Sequence, residues 1–239
     1  MGGPDDRALK LYDEHAKTCA PDDFWGQVKR TVNGKPVDDA QIDMIVDCVR
    51  RGLALTSKDV ILDLCCGNGA LTDRLFDACS GGLGVDSSPH LIEIAQSNFS
   101  RPPARRYVVG EVSEFAASAT DCSIFTKAVC YGSFKYLNND TALRLLQHLQ
   151  ARFARIDLIF IGNNADKALA KDFFYEGAYR PGVENAHDSF LGMWRSEDEF
   201  SALAAQCGWK AHFHRMPPAF YAARFCYDVV LTRAALGTA

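Results

Sequence analysis

The sequence has little that would suit a membrane or a nucleic acid. Among its 239 residues, no apolar run approaches the length of a transmembrane helix. The first residues have neither the charged nor the apolar region of a signal peptide. The formal net charge is −4, and the basic residues do not form a stripe along the chain. We therefore expect a protein that binds neither membranes nor nucleic acid.

The cysteines lack the spacing of a metal or redox site. There are nine of them, an odd number, and no two are separated as in a C-x-x-C motif. Most stand within apolar segments, where cysteine acts as a small hydrophobic residue. This usage predicts a reduced, cytoplasmic protein without a structural metal.

A loop with two glycines lies within residues 60–72, which read VILDLCCGNGALT. Glycine adopts positive φ angles without a steric penalty, and small residues let a ligand approach the backbone. Such a loop is typical of a nucleotide-type site at the first strand-to-helix turn of an α/β sheet. No lysine follows it as in a P-loop, and the third glycine of a dinucleotide-binding fold is absent. Both phosphate-binding classes are therefore disfavoured.

Three acidic residues at successive predicted strand ends favour a cationic ligand instead. Asp63 precedes the glycine loop, where a pyrophosphate would otherwise bring negative charge. Asp86 ends the second strand, where a carboxylate can accept both hydroxyls of a ribose. Glu111 follows the third strand, where it and the neighbouring Val112 can read an adenine edge. S-adenosylmethionine (SAM) carries a sulfonium and an ammonium but no phosphate, and the sequence therefore predicts SAM as the ligand.

Apolar runs and helical periods alternate along the chain from residue 60 onwards, which predicts an α/β fold. The predicted strands lie at residues 60–64, 83–86, 107–109, 123–130, 156–161, 209–216 and 225–232. We predict a doubly wound, seven-stranded, mostly parallel sheet with an antiparallel terminal strand. Residues 1–52 are expected to form an N-terminal helical cap and residues 53–235 a SAM-binding domain. Residues 162–195 are expected to be an insert on the substrate side.

Residues 63–69 (DLCCGNG) resemble the first motif of class I SAM-dependent methyltransferases, and residues 84–88 (GVDSS) resemble the second. The resemblance covers nearly all of residues 55–235. It implies the class I methyltransferase fold, SAM as cofactor and S-adenosylhomocysteine as product. The loop would line the methionine part, the second motif the ribose, and the residues after the third strand the adenine. The cofactor-binding residues so implied are Asp63, Cys65, Gly67, Asn68, Gly69, Asp86, Ser87, Glu111, Val112 and Cys130.

The acceptor is expected outside the carboxyl ends of the strands, where ligands of open α/β sheets bind. His187 is the first candidate for a catalytic base, because the adjacent Asp188 can orient its imidazole. Tyr131 is the second catalytic candidate and can orient the acceptor. Plain packing of Tyr131, and a surface location of His187, are the open alternatives. The candidate substrate-binding residues are Trp25, Tyr131, Asn163, Tyr175, His187 and Tyr221.

The sequence as a whole predicts a cytoplasmic SAM-dependent methyltransferase. Residues 31–36, 161–166 and 225–228 are also similar to bacterial small-molecule methyltransferases found with surface-glycan genes. We expect methylation of an oxygen or nitrogen of a small polar metabolite or glycan precursor. The alternatives are a nucleic-acid or protein methyltransferase, a non-catalytic SAM-binding-fold partner subunit, and a dinucleotide-dependent oxidoreductase.

Overall fold

The computed structural model describes residues 6–174, 178–187, 189 and 191–234, and gives only the backbone path for residues 6–11. Within these ranges two short strands, β1 (Thr31–Val32) and β2 (Lys35–Pro36), form an antiparallel hairpin. The remaining strands form one seven-stranded sheet. Its members are β3 (Ile61–Leu64), β4 (Gly82–Asp86), β5 (Arg105–Val109), β6 (Lys127–Tyr131), β7 (Leu158–Ala165), β8 (Trp209–His214) and β9 (Cys226–Arg233).

The strands of the main sheet lie in the order β5-β4-β3-β6-β7-β9-β8. All neighbours from β5 to β7 are parallel, whereas β9 runs antiparallel to both β7 and β8. The predicted doubly wound, mostly parallel sheet with a reversed last strand is therefore confirmed. The strand order reverses between β3 and β6, and ligands of such sheets bind outside the carboxyl ends at that point.

Successive side chains of a strand point to opposite faces of the sheet, so both faces are apolar here. Helices cover each of them. Ile61 of β3 packs in one apolar cluster with α3 and α4, whereas Leu62 and Leu64 pack in a second cluster with α6 and α7. In the described ranges, no helix is long and apolar enough to cross a membrane. The helices are α1 (Asp6–Thr18), α2 (Phe24–Gln27), α3 (Asp39–Gly52), α4 (Ala70–Phe76), α5 (Pro89–Phe99), α6 (Val112–Ser118), α7 (Asn139–Arg152), α8 (Ala170–Phe173) and α9 (Glu197–Gln206).

Two predicted strand boundaries are wrong by about four residues, and the others lie within about two residues of the structure. The fourth strand begins at Lys127 rather than at residue 123, because residues Cys122–Ile124 form a 3-10 turn. The fifth strand continues to Ala165, past the predicted start of the insert at residue 162. A bulge between Ile161 and Asn164 shifts the register against β9 there. The polar residues at 163 and 164 therefore belong to the sheet, and the irregular segment begins after residue 165.

Candidate functional site

A cavity of about 450 Å³ opens outside the carboxyl ends of β3, β4 and β6. Its wall includes the end of β3 with the loop after it, the segments after β4 and β5, and the loop after β6. Residues of the N-terminal segment, His187 and Tyr221 complete the wall. The cavity therefore lies where the reversal of strand order predicts a ligand, and its size is within the range of small-molecule sites.

The loop between β3 and α4 turns through three residues with positive φ angles. Gly67 has a φ of 58° and Gly69 a φ of 79°, as the sequence predicted for these glycines. Cys65 has a φ of 64°, a conformation that residues with a side chain seldom adopt. A hydrogen bond to buried Cys130 and burial both raise the pKa of the Cys65 thiol. Cys65, Gly67 and Asn68 line the cavity, whereas Gly69 and Cys130 do not.

Asp63 is a buried acid at the cavity wall, with 5% of its surface exposed. The Thr72 hydroxyl of α4 donates a hydrogen bond to its Oδ2 at 2.5 Å. Burial raises the pKa of Asp63 to about 7, the nearby Asp86 adds to this effect, and Arg30 opposes it. Within the described residues, no basic side chain forms an ion pair with Asp63. The site therefore holds a carboxyl group that a bound cation would convert to its charged form.

Asp86, at the end of β4, is held in place by backbone amides. The Gly67 amide donates to its Oδ2 at 2.8 Å, and the Ser88 amide donates to its Oδ1 at 2.9 Å. Burial raises the pKa of Asp86, and these hydrogen bonds oppose that shift. Ser87 lines the cavity beside it. The Ser88 hydroxyl donates to Asp13 of α1 at 2.6 Å and so joins the N-terminal helix to this strand end.

Glu111, after β5, caps the N-terminus of α6. Its Oε2 accepts hydrogen bonds from the Glu114 amide at 2.8 Å and from the Ser113 hydroxyl at 2.7 Å. Val112 follows as the first residue of the helix and is buried. Glu111 and Val112 both line the cavity. The cap fixes the direction of the Glu111 side chain at this part of the wall.

The N-terminal segment is attached to the glycine loop through Asn68. The buried Asn68 amide donates to the Phe24 carbonyl at 2.7 Å and to Gln27 Oε1 at 2.8 Å. Farther along the wall, the hydroxyls of Tyr12 and Tyr136 are hydrogen-bonded at 2.9 Å. These contacts bring residues of the segment into the cavity wall; they are Tyr12, Val28, Lys29 and Arg30.

Two residues that line the cavity each carry a polar atom that is buried without a hydrogen-bond partner among the described residues. These atoms are the hydroxyl of Tyr131, at the end of β6, and Oδ1 of Asn163, in the bulge of β7. Asn163 has a φ of 59°, and its backbone N–H donates a hydrogen bond to Asp228 Oδ1 at 2.7 Å, which fixes this conformation. A strained residue with an unsatisfied side-chain atom is typical of a functional site.

The remaining predicted acceptor residues occupy different places. His187 and Tyr221 line the cavity, and Gln41 of α3 anchors the Tyr221 amide through a 2.9 Å hydrogen bond. Trp25 is half-buried beside the cavity but does not line it, and its ring stacks against Arg30 at 5.6 Å. Tyr175 lies outside the described residues, as does Asp188, the predicted partner of His187.

Sequence patterns did not single out Tyr12, Arg30 or Lys135 as part of the wall. Lys135 belongs to the loop after β6, where acceptor contacts were expected, although nothing in its immediate sequence marks it. Tyr12 and Arg30 reach the cavity only because the N-terminal segment folds over it. In the part of the chain that the structure describes, no group of three or more His, Cys, Asp or Glu side chains is arranged to hold a metal ion.

The mostly parallel sheet with its reversed last strand, β9, is the fold of class I SAM-dependent methyltransferases. Residues 61–154 match the family model of a methyltransferase domain. A fission yeast protein (Schizosaccharomyces pombe) with the name uncharacterized methyltransferase C70.08c is 25% identical over 203 residues. The match covers 81% of this chain and 73% of that protein.

Solved structures agree with this fold. A DhpI–SAH complex matches with a TM-score of 0.64 and 12% identity, over 96% of this chain and 97% of that one. Magnesium protoporphyrin IX methyltransferase (ChlM) from Synechocystis PCC 6803 with bound SAM matches with a TM-score of 0.59 and 12% identity, over 98% and 100% of the chains. The methyltransferase domain of a bacterial CtHen1 matches with a TM-score of 0.59 and 16% identity, over 83% and 100%.

Proposed function

We propose that this methyltransferase modifies an oxygen or nitrogen of a small polar metabolite or glycan precursor. The observation that carries the proposal is that two residues lining the cavity, Tyr131 and Asn163, each have a buried polar atom without a partner. A buried polar group without a partner destabilises a protein by roughly 1–3 kcal/mol. A polar acceptor that hydrogen-bonds to both atoms would offset that cost, whereas an apolar acceptor would leave it in place.

The acidic part of the cavity fits the parts of SAM. Asp63 is suited to its ammonium, because it is a buried carboxyl group without a basic partner in the described ranges. Asp86 keeps lone pairs for ribose hydroxyls while backbone amides hold it. A side chain at Gly67 would come to 3.0 Å from Val28, so the glycine lets the loop pack closely against the N-terminal segment. The same proposal includes the other predicted cofactor residues: Cys65, Asn68, Gly69, Ser87, Glu111, Val112 and Cys130.

When bound, SAM supplies an electrophilic methyl group on a positively charged sulfur, and S-adenosylhomocysteine remains after transfer. The chain contributes alignment of the acceptor and exclusion of water. Tyr131 and Asn163 would orient the acceptor, and the segment that Asn68 anchors would cover the site. His187 would accept the proton that a hydroxyl or amine acceptor loses.

We also propose an N-terminal cap, an acceptor-side wall and a cytoplasmic location. Residues 1–52 would act as a cap over residues 53–235, supported by the contacts of Asn68 and Tyr12 with the domain. The segment at 162–195 would form an acceptor-side wall, supported by His187 at the cavity. A cytoplasmic location is supported by the nine cysteines, which are all unpaired. A net charge of −4 gives no support to a nucleic-acid acceptor.

The test compares the replacement of Tyr131 by phenylalanine with the same replacement of Tyr107. Tyr131 and Tyr107 both have a buried hydroxyl without a partner in the described structure, but only Tyr131 lines the cavity. Replacing either by phenylalanine removes an unsatisfied group, so the free energy of unfolding should stay equal or rise. Tyr131→Phe should lower kcat/KM at least tenfold in an assay of S-adenosylhomocysteine release, and Tyr107→Phe should not.

The acceptors in that assay are hydroxylated acids, sugars and amines, with RNA, DNA and a denatured protein mixture alongside. Turnover of small polar compounds, reduced in Tyr131→Phe, supports the proposal. Turnover of the macromolecules alone would refute a small acceptor. Equal kcat/KM in the wild type and Tyr131→Phe would show that the hydroxyl does not contact the acceptor.

A further inference from the structure

The carboxyl end of β7 contains a β-bulge that borders the cavity. Two residues of β7, Gly162 and Asn163, lie there opposite a single residue of β9, Asp228. A bulge interrupts the ladder of backbone hydrogen bonds and changes the direction of the side chains that it carries. Bulges are over-represented next to active sites for this reason. The β7 bulge therefore decides where the Asn163 side chain lies.

Two buried polar side chains bind the backbone groups of the bulge. The Asp228 carboxylate accepts a hydrogen bond at Oδ1 from the Asn163 backbone N–H, at 2.7 Å. The Asn164 side-chain amide donates to the carbonyl of Ile161 at 2.8 Å and to that of Tyr227 at 3.3 Å. Both Asp228 and Asn164 are buried. Because unpaired backbone groups destabilise a protein interior, these bonds stabilise the bulge.

The bulge brings Asn163 to the cavity. In strict alternation, Asn163 would share the sheet face of Ile161, which packs in the same apolar cluster as Leu62. Asn163 instead has a φ of 59° and lines the cavity. Its Nδ2 atom lies 3.8 Å from the point that a Cβ on Gly132 would occupy. The Asn163 side chain therefore lies against the loop after β6, which also lines the cavity.

The other residue of the bulge makes room for Tyr131. A Cβ on Gly162 would overlap the Tyr131 ring, so this ring lies directly on the Gly162 backbone. The Gly132 backbone N–H, next to Tyr131, donates to the Gly162 carbonyl at 2.9 Å. The two predicted acceptor contacts at the sheet, Tyr131 and Asn163, therefore both depend on the β7 bulge.

Asp228 is a buried carboxyl group that the transfer of a methyl group does not use directly. It does not line the cavity. Its second oxygen, Oδ2, accepts a hydrogen bond from the Cys48 thiol of α3 at 3.4 Å. Burial raises the pKa of Asp228, and the bonds from Asn163 and Cys48 oppose that shift. Since burying a carboxylate is unfavourable without hydrogen bonds, its short bond to Asn163 is the main compensation that the structure shows.

We propose that Asp228 is a positioning residue for methyl transfer, because it holds the β7 bulge in the form that directs Asn163 to the acceptor. The inference rests on the proposed function, in which Asn163 contacts the acceptor. Residues with a side chain seldom adopt positive φ angles, although asparagine does so more readily than most. Without the bond to Asp228, the Asn163 backbone loses the contact that favours this conformation.

Crystal structures of complexes with S-adenosylhomocysteine test the positioning without any acceptor. In Asp228→Ala the Asn163 N–H has no partner, so Asn163 should leave the positive φ region and its side chain should move from Gly132. Asp228→Asn keeps an oxygen that accepts this bond and should keep the wild-type conformation. If Asp228→Ala does not fold, Asp228→Val, which leaves no cavity, takes its place. An unchanged Asn163 in the variant without an acceptor oxygen would overturn the inference.

A double-mutant cycle separates positioning from a general loss of stability. The substrate is the best acceptor among the hydroxylated acids, sugars and amines, at a temperature where every variant is folded. Asp228→Ala should lower kcat/KM about tenfold or more, and Asp228→Asn should restore most of it, with unchanged affinity for S-adenosylhomocysteine. In an Asn163→Gly background, Asp228→Ala should change kcat/KM by less than about twofold, because the positioned side chain is absent. Equal losses in both backgrounds would refute the inference.

Asp59 provides the matched control. It is also a buried aspartate, and it accepts hydrogen bonds from the Thr56 backbone N–H and the Thr126 hydroxyl, both at 2.8 Å. It precedes β3 at the amino ends of the strands, whereas the cavity is at the carboxyl ends. Asp59→Ala should therefore lower the free energy of unfolding and leave kcat/KM unchanged. A loss of kcat/KM equal to that in Asp228→Ala would show that instability alone explains the effect.

The outcomes separate this inference from the proposed function. If no small polar compound is methylated, the proposed function is wrong, and the crystal structures still decide whether Asp228 positions Asn163. If such compounds are methylated but Asp228→Ala acts equally with and without the Asn163 side chain, the positioning role is wrong and the proposed function stands.

Discussion

Ionisation of Asp63 should couple cofactor binding to the release of a proton. Burial raises its pKa to about 7 from an ordinary value of 3.8. That difference corresponds to on the order of 4 kcal/mol, which is the cost of charging this buried carboxyl. The ammonium of SAM or of S-adenosylhomocysteine, bound beside it, would recover part of that cost and lower the pKa. Below about pH 7, binding should therefore expel the Asp63 proton.

The number of protons released follows from the protonation of Asp63 before and after binding. If the bound pKa returns to roughly 4–5, binding at pH 6 should release about 0.8–0.9 proton, and affinity should rise up to about tenfold per pH unit below neutrality. Above pH 7, affinity should level off. Calorimetry of S-adenosylhomocysteine binding in two buffers of different ionisation enthalpy measures the released protons directly.

Two variants test the assignment of this proton to Asp63. Asp63→Asn should release none and should bind nearly as well as the wild type at pH 5 but more weakly at pH 8. Thr72→Val removes the hydrogen bond that lowers the Asp63 pKa, so the midpoint of release should move to higher pH. Equal proton release by the wild type and Asp63→Asn would refute the coupling.

The raised pKa of Asp63 also predicts that the protein loses stability as the pH rises. Its pKa is raised in the folded state, so its contribution is fully present below the unfolded value and is lost as pH rises through about 7. Without ligand, the wild type should therefore lose more unfolding free energy than Asp63→Asn between pH 5 and pH 8. Urea titrations at the two pH values measure the difference. Parallel losses in both proteins would contradict the raised pKa.

Three further substitutions test separate parts of the site. Asp86→Ala should weaken S-adenosylhomocysteine binding about ten- to a hundredfold, because a charged hydrogen bond contributes about 1.5–3 kcal/mol, and calorimetry should show no change for the exposed control Asp47→Ala. Asn68→Ala should lower the free energy of unfolding by roughly 1–3 kcal/mol and speed proteolysis of the N-terminal segment, since two buried acceptors lose their donor; unchanged proteolysis would refute its anchoring role. His187→Ala should reduce kcat about a hundredfold if His187 is the base, with His148→Ala as control, and wild-type turnover would exclude that role.

The fold was predictable because its signals are local. The apolar run at β3 and the glycine loop after it identify a buried parallel strand and its turn, and the structure confirms both. The end of β7 was mispredicted because a bulge is set by pairing with β9, far along the chain. The sequence around Asn163 does not distinguish an insert from a strand that continues through one residue with a positive φ angle.

The candidate site also contains residues that the sequence predicts and residues that it does not. The acids at the ends of β3 and β4 could be placed together from strand order alone, because parallel strands bring their carboxyl ends to one edge. Their roles as SAM ligands stay predictions. Arg30 could not be predicted, since its approach depends on how the N-terminal segment folds over the sheet, and nothing in the sequence around Lys135 marks its side chain as part of the wall. Asn68 was assigned to the cofactor, and its side chain is bonded to that segment.

Binding of SAM at the glycine loop is the central claim, and calorimetry tests it most directly. The protein is titrated in parallel with SAM, S-adenosylhomocysteine and NAD at pH 8, where Asp63 is ionised in the free protein. We expect saturable one-to-one binding of SAM and of S-adenosylhomocysteine and no binding of NAD. The affinity for SAM and S-adenosylhomocysteine should fall at least tenfold in Asp86→Ala. Tight binding of NAD without binding of SAM would contradict it.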